Sequence, residues 1–288
     1  MGFKQQLMEK LESQLTESEQ SLLPGGFQTL GKTMILKLKP KLREKKNLIA
    51  KTCLELYPFL DSVYLNLGKI EGEFRTPERI VHVVGKKNSV VRHKEHGVTY
   101  EFDFKKIMFS KGNLNERRHL ASLVEKGEII VDMFAGIGYF SLPIAVLSEA
   151  QHIYSIELNP TAYQYLVKNI QLNKVEQKIT AIHGDAKNEV LKLSKAGIKA
   201  DRVIMGVFPA PKEFISEALK LAKSEGTMFH FEGVVDEEEY LNLYEEFKQR
   251  ADAEGYSCDL KSHRFVKSYG PHLYHVVLDI LVSQKESK

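Results

Sequence analysis

The chain has 288 residues, 43% of them hydrophobic, with 41 Lys and Arg against 38 Asp and Glu. This ordinary globular composition excludes a chain that is disordered throughout, and the length fits one or two domains of about 100–200 residues. No apolar run approaches the roughly 18 residues of a membrane span, and Cys53 and Cys258 are too far apart for a disulfide scaffold or a zinc knuckle. We therefore expect a cytoplasmic protein with no membrane contact and no metal.

Charge is unevenly distributed along the chain. Residues 1–120 carry 22 Lys and Arg against 14 Asp and Glu, whereas residues 121–288 carry 19 against 24. A basic first part indicates contact with a polyanion such as nucleic acid. The alternative is a lysine-rich surface that only contacts solvent.

The first 110 residues alternate short helices with short strands. We predict a strand over 33–38, a helix over 42–58, a strand over 62–67 and further strands over 80–84, 89–92 and 98–104. Turn residues separate these segments, which is typical of a small mixed α/β domain with antiparallel strands. We assign residues 1–108 to this N-terminal domain and residues 109–288 to a second domain.

The second domain alternates strands with longer helices. Strands are predicted over 128–132, 152–157, 178–183, 201–207 and 226–231, and helices over 138–149, 160–173, 187–195, 211–224 and 236–254. Two final strands, 262–268 and 273–282, complete the pattern. Repeated βα units predict an α/β fold with a parallel, doubly wound, Rossmann-like sheet, here closed by a terminal hairpin.

A glycine-rich turn follows the first strand of this sheet, in the segment VDMFAGIGYFS at 131–141. Gly136 and Gly138 allow a tight turn and a close approach to a ligand, and the helix that follows presents free N–H groups. A dinucleotide site would have a small third residue after a Gly-x-Gly-x-x spacing, and Ser141 stands there behind two bulky aromatic residues. Gly-x-Gly alone is weak evidence, because a plain tight turn has the same pattern.

Two acids end the next two strands. Glu157 can accept both hydroxyl protons of a ribose, and Asp185 can accept from the exocyclic amine of adenine. Either acid could instead be an ordinary helix cap. One glycine-rich loop followed by acids at successive strand ends makes an adenosine pocket without a pyrophosphate cradle. The arrangement resembles class I S-adenosylmethionine-dependent transferases.

Two further segments bear on the reaction. The fourth strand ends at Gly206, which has no side chain to hold an N–H, although a glycine there could merely relieve crowding. At the domain junction, Ser110 precedes Arg117 and Arg118, which can bind a carboxylate as a fork unless they are solvated. No general base is evident, so the catalytic residues are unknown; His230 is the nearest candidate and is better interpreted as a core histidine.

These motifs carry a family resemblance over nearly the whole chain, in GEFR at 72–75, residues 132–141, residues 201–205 and residues 268–275. The chain resembles the archaeal and eukaryotic group that contains tRNA guanosine-37 N1-methyltransferases and their wybutosine-pathway paralogue, an aminocarboxypropyltransferase. The methyltransferase branch has Phe-Ser-Pro-Arg and Asn-Leu-Pro where this chain has FSKG at 109–112 and GVFP at 206–209. Both departures favour the paralogue, in its archaeal type.

The resemblance implies transfer of the 3-amino-3-carboxypropyl group of S-adenosylmethionine to carbon 7 of 4-demethylwyosine, at position 37 in the anticodon loop of phenylalanine tRNA. It implies release of methylthioadenosine, and no obligate protein partner is evident from the sequence. It further implies the following cofactor contacts: Glu157 and Leu158 with the ribose, Asp185 and Ala186 with the adenine, Ser110 and Arg117 with the methionine portion, and Phe134, Ala135 and Gly136 as the loop floor.

Contacts with the tRNA backbone are expected from the basic segments 37–46 and 86–94, with help from His263, Arg264 and Lys267. Tyr139, Phe140 or Phe208 can stack on a flipped base or pack in the core. Two alternatives stay open: a tRNA guanosine-37 N1-methyltransferase, and a non-catalytic RNA-binding protein that keeps the nucleotide pocket as structure.

Overall fold

The computed structural model describes residues 1–68, 70–72 and 76–285, so residues 73–75 of the GEFR motif lie outside the described residues. The chain divides into two units, residues 1–94 with 100–109 and residues 95–99 with 110–288. The sequence patterns do not indicate that residues 95–99, which cover the end of one strand, a turn and the start of the next strand, group with the second unit.

The first unit contains a four-stranded mixed sheet. Its strands run in the order β1-β2-β3-β6, with β2 and β3 parallel and the two outer pairs antiparallel. The elements are α1 (Phe3–Leu11), α2 (Glu17–Ser21), β1 (Gln28–Leu30), β2 (Thr33–Leu36), α3 (Lys46–Leu56), β3 (Ser62–Asn66), β4 (Ile70–Glu71), β5 (Thr76–Pro77), β6 (Ile80–Gly85), β7 (Val90–Glu95) and β8 (Val98–Asp103).

Two helices cover this sheet with their apolar faces. Leu7 and Leu11 are one helical turn apart on α1 and are fully buried, as are Ile49 and Cys53 on α3. They pack in one cluster with strand residues such as Met34. Helix α3 begins later than predicted, because a 3₁₀ turn at Pro40–Leu42 precedes it.

The second unit is built on a seven-stranded sheet in the order β11-β10-β9-β12-β13-β15-β14. The first five strands are parallel, and the last two form an antiparallel hairpin on β13, which confirms the predicted doubly wound sheet closed by a hairpin. The elements are α4 (Leu114–Ser122), β9 (Ile129–Asp132), α5 (Ser141–Leu147), β10 (His152–Glu157), α6 (Pro160–Leu172), β11 (Ile179–His183), α7 (Ala186–Lys195), β12 (Arg202–Met205), α8 (Ile215–Leu219), β13 (Thr227–Asp236), α9 (Tyr240–Ala253), β14 (Tyr256–Gly270) and β15 (Leu273–Gln284).

The strand order fixes where a ligand can bind. Strand β10 lies on one side of β9 and β12 on the other, so the chain reverses its winding direction between β9 and β12. Ligands of open α/β sheets bind outside the carboxyl ends of the strands at such a reversal. Asp132, the last residue of β9, ends at this edge.

Three predicted helices are shorter than expected. Helix α5 begins at Ser141 because Gly136 and Gly138 have φ of +58° and +98°, which no right-handed helix accommodates. Helix α9 begins at Tyr240 because β13 continues to Asp236, beside β15. The predicted helix over 211–224 is reduced to a 3₁₀ turn and the five residues of α8.

Within the ranges that the structure describes, no helix combines the length and the apolar character needed to cross a membrane. The same residues contain no group of three His, Cys, Asp or Glu side chains placed to hold a metal ion.

Candidate functional site

The glycine-rich loop between β9 and α5 is held against the neighbouring strands. The Ala135 amide donates to the carbonyl oxygen of Ile156 at 2.8 Å. A Cβ at Gly138 would lie 2.6 Å from Leu142 Cδ1, so only glycine fits this left-handed position without a shift. Phe134 and Gly136 are half-buried and Ala135 is buried; that these three residues form the floor of a cofactor site stays a prediction.

Glu157 reaches this loop from the end of β10. Its Oε2 accepts from the amide of Gly136 at 2.7 Å, and its Oε1 accepts from the amide of Asn159 at 2.7 Å. Burial is the main cause that raises the pKa of this carboxyl. The cap of α6 is Asn159, which accepts from Thr161 and Ala162, so the helix-cap alternative does not describe Glu157.

Asp185 has the cap role that the sequence left open. It is the N-cap of α7, and its Oδ1 accepts from the amide of Asn188 at 3.1 Å. Ala186 is buried directly after it, whereas Leu158, beside Glu157, is 41% exposed. Contacts of Asp185 and Ala186 with adenine, and of Glu157 and Leu158 with ribose, stay predictions.

Asp132 is buried beneath the loop. Its Oδ2 accepts from the Ser141 hydroxyl at 2.6 Å, and that hydroxyl accepts from Ser155 at 2.7 Å. Burial, together with the charges of Glu157 and Glu232, raises the pKa of Asp132 to about 7, although the bond from Ser141 opposes the shift. The carboxyl groups of Glu157 and Glu232 are therefore close enough to Asp132 to affect its protonation.

Arg117 packs against the same loop from α4. Its guanidinium lies 4.8 Å from the ring centroid of Tyr139, donates to the carbonyl of Ser110 at 2.8 Å and forms a buried ion pair with Glu95. The structure thus brings Ser110 and Arg117 together, whereas Arg118 is exposed and does not complete the predicted fork. Glu95 is a residue that sequence reasoning missed, because nothing in the local pattern links it to position 117.

His230 is a core histidine, as the sequence interpretation favoured. A guanidinium only donates, so Nε2 of His230 must accept from Arg202 at 2.6 Å, and Nδ1 then donates to Asp279 at 2.5 Å. Burial is the largest cause that lowers the pKa of this histidine. Its one lone pair is occupied, so His230 cannot serve as a general base in this arrangement.

Sequence reasoning missed a second buried pair, formed by Glu232 on β13 and His275 on β15. Glu232, two positions after His230, accepts from Nε2 of His275 at 2.9 Å, and both side chains are buried. A polar residue at every second position of an apolar strand, His-Phe-Glu at 230–232, was the signal that could have identified it. Phe208 packs its ring edge-to-face on His275, with the centroids 4.7 Å apart.

The predicted tRNA contacts of the terminal hairpin, His263, Arg264 and Lys267, differ in the partners that their side chains already have. Arg264 donates to both carboxylate oxygens of Glu116 at 2.9 Å and also pairs with Asp279, so its guanidinium is already engaged and its assignment as a phosphate contact is not supported. His263 stacks on Tyr240 and Lys267 lies beside the backbone of Gly112.

Comparison with known proteins gives a consistent result. A family model described as the TRM5/TYW2 methyltransferase domain matches residues 91–259, and one described as the TYW2 N-terminal domain matches residues 7–87. The chain is 36% identical, over 98% of its length and 98% of the relative, to a Pyrococcus horikoshii protein named tRNA(Phe) (4-demethylwyosine(37)-C(7)) aminocarboxypropyltransferase.

Solved structures agree with this. P. horikoshii TYW2 in complex with MeSAdo (methylthioadenosine) has a TM-score of 0.80 and 33% identity, covering 98% of this chain and 99% of that one. A complex of aTrm5 with tRNALeu has a TM-score of 0.79 and 29% identity, covering 98% of this chain and 79% of that one.

Proposed function

The chain belongs to the TRM5/TYW2 family, and we propose that it transfers the 3-amino-3-carboxypropyl group of S-adenosylmethionine to carbon 7 of 4-demethylwyosine at position 37 of phenylalanine tRNA. The observation that carries this proposal is the similarity to the P. horikoshii aminocarboxypropyltransferase across 98% of both chains. The end of β12 agrees with it, because Gly206 offers no side-chain amide for an N–H group.

The residues of the loop fit S-adenosylmethionine. Each oxygen of the Glu157 carboxylate has two lone pairs and uses one on a backbone amide, so each can still accept a ribose hydroxyl. The left-handed turn at Gly138 leaves no room for a Cβ, which keeps the backbone of the loop close to its neighbours. Phe134, Ala135 and Gly136 then form the floor under the adenosine.

Arg117 and Ser110 are proposed to hold the methionine portion. Arg117 has five N–H donors, and two of its contacts, Glu95 and the Ser110 carbonyl, hold the guanidinium beside Tyr139 of the loop. A carboxylate of the ligand would be bound by a guanidinium that is already oriented, which reduces the entropy lost on binding.

The positive sulfur of bound S-adenosylmethionine activates the neighbouring γ-carbon for attack by carbon 7 of the base. The leaving group of this transfer is methylthioadenosine. The protein contributes position and the exclusion of water. Aromatic side chains lie near the end of β12: Phe140 Cε2 is 3.1 Å from a Cβ built on Gly206, and Phe208 packs on His275. No residue is assigned as a general base.

The tRNA is proposed to bind through its anticodon loop, with the basic segments 37–46 and 86–94 of the first unit contacting phosphates. Such contacts lower the affinity steeply as salt rises. We propose that the enzyme works in the cytoplasm, where tRNA is its substrate, and without an obligate protein partner.

Labelled S-adenosylmethionine tests the function directly. The label is placed in the methyl or in the carboxyl carbon, and each form is offered to tRNA with guanosine-37 and to tRNA with 4-demethylwyosine-37. We expect carboxyl label to enter only the tRNA with the tricyclic base. Methyl label in the guanosine tRNA would instead identify a guanosine-37 N1-methyltransferase, and failure to bind S-adenosylmethionine would favour a non-catalytic RNA-binding protein.

A further inference from the structure

Glu232 has features that a purely structural role does not explain. Its side chain is 2% exposed, and its partner His275 is fully buried. A carboxylate so deep in an apolar sheet is expensive to desolvate, and one hydrogen bond offsets only part of this. The Nδ1 of His275 is also buried and has no hydrogen-bond partner in the described part of the chain.

The carboxylate of Glu232 uses only one of its two oxygens. Oε2 accepts from His275, whereas Oε1 accepts from no residue in the ranges that the structure describes. Oε1 faces the end of β12, because a Cβ built on Gly206 would lie 3.3 Å from it and 3.1 Å from Phe140 Cε2. The absence of a side chain at position 206 is therefore what gives this oxygen its space.

The strand order places Glu232 on the far side of the site from the proposed ribose contact. Glu157 ends β10, whereas Glu232 is on β13, with β9 and β12 between them. Three strand spacings of about 4.8 Å separate the two by roughly 14 Å. Glu232 therefore lies at the end of the site away from the ribose, on the side where the methionine chain and the acceptor base meet.

We propose that Glu232 binds the target base, with Oε1 accepting a ring N–H and thereby presenting the base edge-on to the γ-carbon. A carboxylate is an acceptor only, so it selects a base edge that carries an N–H. His275 orients Glu232 by donating to Oε2 and is a positioning residue. In the reaction a bond forms between carbon 7 and the γ-carbon, and the bond between the γ-carbon and sulfur breaks, with its electron pair going to sulfur. The proton of carbon 7 then leaves to water, whereas the N–H stays on the base.

The inference rests on the proposed function, and it is tested with the same carboxyl label in single turnovers at saturating S-adenosylmethionine and varied tRNA. Glu232→Gln keeps the size of the side chain and removes its charge, and we expect the maximal rate to fall about 10- to 100-fold, the effect of a hydrogen bond to a charged group. In Gly206→Ala the added Cβ would displace the carboxylate of Glu232 while leaving its charge intact, and the maximal rate should fall as well. Glu225→Gln, at the opposite end of the sheet and exposed, is the matched control and should leave the rate unchanged.

Binding measurements separate this role from two others. Affinities for S-adenosylmethionine and for methylthioadenosine should both stay within twofold in Glu232→Gln. A selective loss of S-adenosylmethionine affinity would mean that Glu232 binds the amino group of the cofactor, and would overturn the proposal. Parallel losses of melting temperature, methylthioadenosine affinity and rate would show a structural role and overturn it too, as would an unchanged rate.

The wild-type enzyme distinguishes the failure of this inference from that of the proposed function. If the wild type transfers methyl label, the aminocarboxypropyl function is wrong, and the Glu232 variants are then judged by the same criteria on the methyl label. If the wild type modifies neither tRNA, both proposals fall.

Discussion

Replacement of Arg117 offers the sharpest test of the proposed cofactor contacts. The side chains of Arg117 and its partner Glu95 are 3% and 5% exposed. Breaking one side of such a buried pair destabilises a protein by about 3–5 kcal/mol, because the remaining charge stays desolvated. Arg117→Met alone therefore confounds stability with binding, and we expect Arg117→Met combined with Glu95→Gln to recover most of the loss in denaturant unfolding.

The double variant is the one in which binding is measured, by calorimetry with S-adenosylmethionine and with methylthioadenosine. A hydrogen bond to a charged group contributes about 1.5–3 kcal/mol, which corresponds to roughly a 10- to 150-fold loss of affinity. Only S-adenosylmethionine has the carboxylate, so its affinity should fall by that factor while methylthioadenosine binding changes less than about threefold. Glu95→Gln alone is the control. Equal losses for both ligands would refute the assignment and leave Arg117 as a structural residue that supports Tyr139.

Three other outcomes are expected. Glu157→Ala should lower the affinities for S-adenosylmethionine and for methylthioadenosine equally, by at least about 100-fold, because both ligands have the ribose and two charged hydrogen bonds are lost. Unchanged affinity would contradict the ribose contact. Asp132 retains its proton up to about pH 7 in the folded state but only to about pH 4 when unfolded, so its contribution to stability falls as pH rises through this window. Relative to wild type, Asp132→Asn should gain about 4 kcal/mol in unfolding free energy between pH 4 and 8, and a constant difference would refute the raised pKa. Gly138→Ala should destabilise the folded protein by about 1–3 kcal/mol more than Gly255→Ala. Both glycines have a positive φ, +98° at Gly138 and +84° at Gly255, but only Gly138 has a neighbour, Leu142, in the space of the added Cβ. Equal losses of stability would mean that the contact with Leu142 costs nothing.

The pH prediction has a structural origin that also bears on catalysis. Asp132 and Glu157 end neighbouring parallel strands and Glu232 lies within β13, and the charges of Glu157 and Glu232 both raise the pKa of the buried Asp132. A proton held on Asp132 near neutral pH relieves this repulsion. Protonation of Asp132 therefore removes one negative charge from the buried region beside Glu157.

Much of the fold follows from local sequence pattern. Alternation of apolar strands with helices of period 3.6 predicted the doubly wound sheet, because each pattern reports which face of an element is buried. The glycines of the 131–141 loop and the acids Glu157 and Asp185 were found in the same way. Parallel strands that are neighbours end at one edge, so residues at successive strand ends are brought together by the topology alone.

Other features were decided only by tertiary packing. Glu95 meets Arg117 across 22 residues of chain, and Glu232 meets His275 across 43. No periodicity relates such pairs, since their contact depends on which strands and helices lie side by side. The same holds for His230, whose acceptor nitrogen is occupied by Arg202 from the adjacent strand. Local periodicity is enough to predict the sheet, its ligand-binding edge and the residue types available there. The tertiary structure decided which of those polar groups are paired, and so which remain to act on a ligand, because pairing depends on contacts between residues distant along the chain.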